Sequence, residues 1–284
     1  MNESAASPVP SPPMPELIIE ASRTEAHYWR DLWRYRELLG FLAWRDIKVR
    51  YQQTVLGAAW ALIQPVATIA IFTFVFGRLA KMPSGGVPYV LLVMVGQLAW
   101  QLFANAFGGA SGSLVGSAHL ISKIYFPRLI IPLSTLAVAL VDFCIVLALF
   151  AGMSAWFGNL PTWRALLLPA FILLALLLAL GAGLSLAALT VKFRDFRIVL
   201  PFVLQVGVFL TPVGYRTDFL PNWRDLLALN PMTGVVEGFR WCLLAADQDF
   251  YWPSFFSSIV WTVILVVTGL WYFRRTERLF ADVI

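Results

Sequence analysis

Between residues 41 and 65 the chain reads FLAWRDIKVRYQQTVLGAAWALIQP, a charged helical pattern that passes without a loop signal into a charge-free apolar run. A segment of this kind belongs at a boundary between water and lipid. At helical period Gly40, Ala43, Trp44, Ile47, Tyr51 and Thr54 share one face, while Arg45, Lys48 and Gln52 share another. The pattern predicts an amphipathic helix leading into the first apolar run. It would lie in a membrane surface, its Trp and Tyr at headgroup depth and its basic groups toward anionic lipid.

The rest of the chain supports a membrane setting. Hydrophobic residues make up 60% and charged residues 13%, whereas a soluble domain carries roughly 25% charged residues. A bilayer core takes about 20 apolar helical residues, and nearly charge-free runs of that length occupy 56–76, 88–110, 131–153, 165–190 and 254–273. A sixth, 198–215, is shorter and holds Pro201, Gln205 and Pro212. It predicts a distorted helix whose freed backbone groups face protein or water. The expected fold is an all-α integral membrane protein of six transmembrane helices.

Six spans put both termini on one side. Lys and Arg cluster at 23–50, 123–128, 192–197 and 274–278, and are sparse in the alternate loops, where Arg78, Lys81, Arg164, Arg216, Arg224 and Arg240 stand. This asymmetry predicts cytoplasmic termini. The net charge of +5 is a topology signal and not a sign of nucleic-acid binding. Residues 1–25, rich in Pro with Ser and Glu, read as a disordered cytoplasmic tail and lack the pattern of a cleaved signal peptide. Cys144 and Cys242 fall in different settings, so no disulfide is expected between them.

The second charge-free region runs from 82 to 122, and its small, polar tail GGASGSLVGSAHL predicts that the helix leaves the membrane near 112–116. The adjoining stretch, SAHLISKIYFPR, is a short cytoplasmic element closed by Pro127. It reads either as a docking helix anchored by Tyr125 and Phe126 with Lys123 at its rim, or as a plain basic loop. In the fourth span Gly181, Gly183, Ser185 and Ala187 would let another helix pack closely. The external segment 216–253 holds two half-apolar pieces, 223–229 and 232–244, broken by Asn230-Pro231. Too short or too charged to cross, they predict re-entrant or interfacial helices. Glu237 and Arg240, three apart, are close enough there for a side-chain pair.

Chemistry is sparse. There is no G-x-x-x-x-G-K-[ST] loop, no paired carboxylates and no metal-ligand spacing, and the chain has 2 His, His27 and His119. No catalytic or metal residue is expected, so uphill movement would draw on an ion gradient or a partner. Asp142, within the third span, reads better as a buried carboxylate bonded to a Ser, Thr, Trp or backbone group than as an ion relay, because one acidic residue makes a poor relay. Amides and aromatics dominate the spans instead. Trp60, Gln64, Phe72, Trp100, Gln101, Phe103, Asn105, Gln205, Phe209 and Tyr215 are candidates to line a conduit for sugars, whose C–H faces stack on rings and whose hydroxyls bond to amides.

Several motifs occur together: WRDIKVRYQQTVLGAAWALIQP (44–65), FGRLAKMPSGGVPY (76–89), SKIYFPRLIIPL (122–133), VKFRDFRIVLPFVLQVGVFLTPVGY (191–215) and LNPMTGVVEGFRW (229–241). In these the chain, over roughly 35–280, resembles the permease subunits of ATP-binding-cassette exporters for bacterial surface polysaccharides, the Wzm-type O-antigen permeases and their capsule and teichoic-acid relatives. The resemblance implies a permease domain over 26–284, working as a homodimer bound to two copies of a separate ATPase subunit. That subunit would bind ATP and Mg, with no cofactor in this chain. The resemblance also implies an amphipathic interface helix at about 35–52 and a coupling helix at about 117–126, with His119, Lys123, Tyr125 and Phe126 meeting the ATPase. External gate helices at about 219–246 would include Asn230, Pro231, Glu237 and Arg240. The cargo would be an undecaprenyl-linked polysaccharide in the bacterial inner membrane, its pyrophosphate drawn to Arg45, Lys48, Arg50 and Tyr51. The rivals are export of another cargo such as a drug or small lipid, a gradient-driven transporter, and a membrane-embedded transferase.

Overall fold

The computed structural model of the protein describes residues 25–52, 57–121, 126–159, 162–193, 195–244 and 250–277, and every regular element among them is helical. The α-helices are α1 (Glu25–Arg34), α2 (Arg36–Gln52), α3 (Gly57–Phe72), α4 (Tyr89–Gly116), α5 (Ala118–Ile121), α6 (Ile130–Trp156), α7 (Leu168–Lys192), α8 (Phe196–Leu210), α9 (Arg224–Ala228), α10 (Pro231–Leu243) and α11 (Trp252–Thr276). A π-helical stretch, Thr73–Leu79, prolongs α3, and a 3-10 turn, Trp163–Leu167, leads into α7. The expected tail at 1–24, Lys123 and Tyr125 of the docking element, and the Trp60 side chain lie outside the described residues.

Five helical segments are long and apolar enough to cross a membrane: Leu62–Leu79, Tyr89–Gly116, Ile130–Trp156, Trp163–Lys192 and Trp252–Thr276. The sixth apolar helix, α8, has 15 residues. At about 1.5 Å per residue it is shorter than the hydrocarbon core. It stops where Thr211-Pro212 turn the chain, short of the expected span end at 215.

Helix α4 is the axis of the bundle. It starts after Pro88, ends at Gly116 as its small-residue tail predicts, and is buried along most of its length. Close approach is set by residues without side chains. A Cβ at Gly183 of α7 would stand 2.7 Å from the Cβ of Ala110 in α4. On the opposite side of α7, a Cβ at Gly181 would stand 2.6 Å from the backbone of Leu265 in α11, and one at Gly269 would be 2.2 Å from the Gly181 carbonyl oxygen. The small-residue stripe of the fourth span therefore serves two neighbours, and van der Waals packing replaces the hydrophobic drive that lipid cannot supply.

The interface helix differs from its expected form. In α2, Leu42 and Ala43 are buried, whereas Phe41, Trp44 and Val49 are exposed. The face predicted to run through Gly40, Ala43, Trp44, Ile47 and Tyr51 is thus split. Apolar groups point both inward and outward, as suits a helix with protein on one side and lipid on the other. Leu42 packs with Ile130 at the start of α6, and Tyr51 reaches Asp142, further along α6. Helix α2 consequently leans along α6 instead of lying across the bundle end.

The second external piece is also deeper than an interfacial helix would be. Ten residues of α10, from Met232 to Leu243, are buried, and it packs against α4, α7 and α11. Asn230 caps it by accepting from the Met232 N–H at 3.0 Å, and Pro231 takes the first helical position. Helix α10 is thus a packed element of the bundle.

Candidate functional site

Aromatic rings form a row that crosses several helices. In α4 Phe103 lies 5.6 Å from both Trp100 and Phe107. The Trp100 ring fills the space above Gly207 of α8, where a Cβ would be 2.6 Å away. Further along α8, Phe209 stacks on Phe72 at 6.1 Å. Phe72 then meets Phe76 at 5.5 Å, and Phe76 meets Tyr215 at 6.4 Å. Trp100 and Phe103 are buried within the chain because α4 is central; they support the row and do not present a free surface. Phe209 and Gln64 are exposed. So is Gln205, while Phe72, Tyr215 and Gln101 are half-buried.

At one end of the bundle a polar collar gathers the turn between α8 and α9. The Arg240 guanidinium, on α10, donates to the carbonyl oxygens of Tyr215 at 2.7 Å and Val213 at 2.8 Å. Tyr89 donates its hydroxyl to the Gly214 carbonyl, and Asn230 donates to Thr211 Oγ1 at 3.0 Å. Glu237 accepts from the hydroxyls of Thr217 and Ser254. The expected Glu237–Arg240 pair is therefore replaced by separate partners: the turn carbonyls recruit the cation and two hydroxyls recruit the carboxylate. Burial lowers the Arg240 pKa to about 10, opposed by the nearby Glu237 charge, and leaves the group cationic at pH 7.

A second polar cluster sits within the bundle, around Asp142. Its carboxylate accepts from the Tyr51 hydroxyl and from Asn105 Nδ2 at 3.0 Å, and pairs with Arg50 at 2.6 Å. The carboxylate is bonded, as expected, but its partners are a Tyr, an Asn and an Arg and not the Ser, Thr, Trp or backbone groups anticipated. Arg50 and Tyr51, expected to face lipid headgroups, turn to this carboxylate. Asn105, expected to line a conduit, is the third member. Arg45 pairs with the adjacent Asp46 at 2.7 Å, while Lys48 is exposed.

The opposite end of the bundle from Arg240 holds α5, the start of the stretch expected to be a docking helix or a basic loop. His119 of α5 is exposed. Phe126, expected as a docking anchor, is buried against Leu42, Ile130 and Phe273 and so serves the fold. Two residues on, the Arg128 N–H donates to the Glu277 carboxylate at 3.0 Å, and its guanidinium donates to the Glu277 carbonyl oxygen. The Arg274 guanidinium lies 4.6 Å above the Tyr28 ring. These contacts join α1, the segment before α6 and the end of α11, so both ends of the described chain meet at one end of the bundle. Burial raises the Glu277 pKa, partly offset by the Arg128 N–H and guanidinium. A half-open cavity of about 190 Å³ lies nearby between α4, α7 and α8, with Gly112, Gly116, Thr190 and Arg197 in its wall.

Sequence reasoning singled out Arg50, Tyr51, Asn105, Asp142, Glu237 and Arg240 but not their groupings. It missed Tyr89, Gly96, Ser254 and Glu277. A signal existed for Gly96, a lone glycine in an apolar helix where a Cβ would stand 2.4 Å from the Val213 carbonyl oxygen. None existed for Ser254 or Glu277, whose partners lie in other helices.

Multiple apolar spans packed around a central, buried helix describe a polytopic membrane protein. Residues 37–244 match the family described as ABC-2 type transporter, and the chain belongs to that family. It is 29% identical over 214 residues to the O-antigen export system permease protein RfbA of Myxococcus xanthus, covering 74% of this chain and 82% of that protein. A Klebsiella pneumoniae O-antigen export system permease protein RfbA is 24% identical over 254 residues, with coverage of 87% and 95%. The polysialic acid transport protein KpsM of Escherichia coli is 23% identical over 250 residues, covering 82% and 91%.

Proposed function

We propose that the chain is the transmembrane subunit of an ATP-driven exporter that moves a lipid-linked, O-antigen-like polysaccharide across the bacterial inner membrane. The observation that carries this reading is the run of rings from Phe209 through Phe72 and Phe76 to Tyr215, with Gln64 and Gln205 exposed on the same two helices, α3 and α8. A sugar chain slides over such a surface because each stacking contact is weak and repeated. The named O-antigen and polysialic acid relatives support the same cargo class.

A separate ATPase subunit, two copies against a homodimer of this chain, binds ATP and Mg and hydrolyses the ATP; this chain performs no hydrolysis. The clustered basic residues support cytoplasmic termini. Closure of the ATPases moves the element at 117–126, and the contacts of Arg128, Glu277 and Tyr28 pass that motion to α1 and α2. The exposed faces of α3 and α8, with Phe209 and Gln205, are the surfaces a second copy would share to form a channel.

The test is reconstitution of the full chain with the ATPase that co-purifies with it, in vesicles loaded with undecaprenyl-linked glycan. The expected result is ATP-dependent appearance of glycan on the far side. Absence of any co-purifying ATPase overturns the reading. Translocation of a drug or small lipid in place of glycan assigns the other cargo class.

A further inference from the structure

The cavity between α4, α7 and α8 lies where those helices reach one membrane face. Arg197, in the first turn of α8, and Gly116, the last residue of α4, stand at its outer end. Leu186 of α7 and Leu200 of α8 line it about a turn further in. The cavity is thus a slot running inward from headgroup depth, with a cation at its mouth and apolar side chains behind. Arg197 is exposed and forms no ion pair among the described residues, although Asp195 stands two residues before it.

The wall suits an alkyl chain better than a sugar. Its two hydroxyls donate within their own helices, Ser111 to the Phe107 carbonyl oxygen at 2.6 Å and Thr190 to that of Leu186 at 2.7 Å. At about 190 Å³ the space is smaller than the roughly 300–1,000 Å³ of sites that enclose a whole small molecule, so it takes part of a longer one. Helix α8 also lacks packing here. It buries none of its residues, and its ring contacts, Trp100 over Gly207 and Phe72 on Phe209, lie in its C-terminal half.

We propose that the slot seats part of one acyl chain of an anionic membrane phospholipid, its phosphate on Arg197, and that this lipid fixes the N-terminal half of α8 against α4 and α7. Phosphate matches the guanidinium fork. Anionic lipid is characteristic of the cytoplasmic leaflet, which is the leaflet at this end in the orientation proposed above. A ligand that binds only the folded chain stabilises it by mass action. The inference rests on the export reading only for the side of the membrane, and needs neither the cargo nor the ATPase.

The experiment is native mass spectrometry and thermal unfolding of the full chain in detergent, titrated with phosphatidylglycerol or with phosphatidylcholine of the same acyl chains. Wild type binds phosphatidylglycerol about five-fold tighter than phosphatidylcholine, as one basic side chain near a lipid surface supplies, and melts higher as it binds. G112L fills the slot from its wall, where an added Cβ meets nothing within 4 Å. It loses the bound lipid and the lipid-dependent rise in melting. R197Q, at an exposed residue, leaves the packing alone and makes the two lipids bind equally. Equal binding of both lipids by wild type, or a G112L variant that keeps the wild-type response, overturns the site. An R197Q variant that still prefers phosphatidylglycerol overturns the phosphate assignment. Undecaprenyl phosphate that displaces phosphatidylglycerol at equal concentration gives the slot to the substrate and overturns the phospholipid. Neither glycan nor ATPase enters these titrations, so failure of the site and failure of the export reading are told apart.

Discussion

The Arg240 guanidinium donates to the Val213 carbonyl oxygen at 2.8 Å across a gap of 27 residues, tying α10 to the turn that ends α8. The same oxygen would stand 2.4 Å from a Cβ at position 96. One carbonyl thus fixes the meeting point of α4, α8 and α10. With a second bond to Tyr215, Arg240 shapes the polar collar without meeting solvent.

Replacing Arg240 by Met therefore leaves two inward carbonyls without their donor. Hydrogen bonds to a charged group are worth about 1.5–3 kcal/mol each, so R240M is expected to lose roughly 3 kcal/mol or more. Thermal unfolding of the purified full chain checks this. R240K, which can still serve one carbonyl, should recover part of the loss; equal melting of R240M and wild type would contradict the collar.

Glycine positions separate close packing from helix propensity. G96A forces a Cβ into the Val213 carbonyl, and G269A forces one into the Gly181 carbonyl at 2.2 Å. Both should reduce folded yield and melting temperature. G108A, with nothing within 4 Å of the added Cβ, should be neutral or gain up to about 1 kcal/mol from better helix propensity. Folded yield by size-exclusion chromatography reads all three.

The aromatic row divides into support and surface. Trp100 is buried, so W100A should cost about 3–5 kcal/mol. Phe209 is 60% exposed, so F209A should leave melting nearly unchanged while glycan translocation falls several-fold. A variant that melts early without slowing translocation at permissive temperature would assign Phe209 to the fold.

Glu277 gives a pH dependence of known sign. Its folded pKa is raised by burial, so the folded state holds the proton where the unfolded state has lost it. Stability at this site is full below the ordinary carboxylate pKa and falls as pH rises toward the raised folded value. E277Q should flatten that slope and melt no lower than wild type at pH 7. E277A, which also removes the acceptor for the Arg128 N–H, should retain ATP hydrolysis in the assembled complex while losing export.

Much of the architecture is legible in the sequence because a bilayer sorts residues by transfer free energy along one dimension. The starts of α4 and α6, the exit of α4 near Gly116 and the capping of α10 by Asn230 and Pro231 all follow from local signals. Helix α2 departs from its expected setting because its periodicity fits either a water–lipid or a protein–lipid boundary, and only Leu42 and Tyr51 settle which. Phe126 and Trp100 depart for a related reason: an apolar side chain looks the same in sequence whether a partner or the chain itself covers it.

The sequence by itself determined that this is a helical membrane protein, how many apolar segments it has and which loops carry the basic charge, since each depends on composition over a short window. Only the tertiary structure decided that Asp142 takes Arg50, Tyr51 and Asn105, and that Arg240 leaves Glu237 for the carbonyls of Val213 and Tyr215. Inside the bundle, removed from water, each polar group must find a partner where the helices happen to meet. That meeting is set by close approaches such as Gly181 to Gly269 and Gly96 to Val213, between residues far apart in the chain.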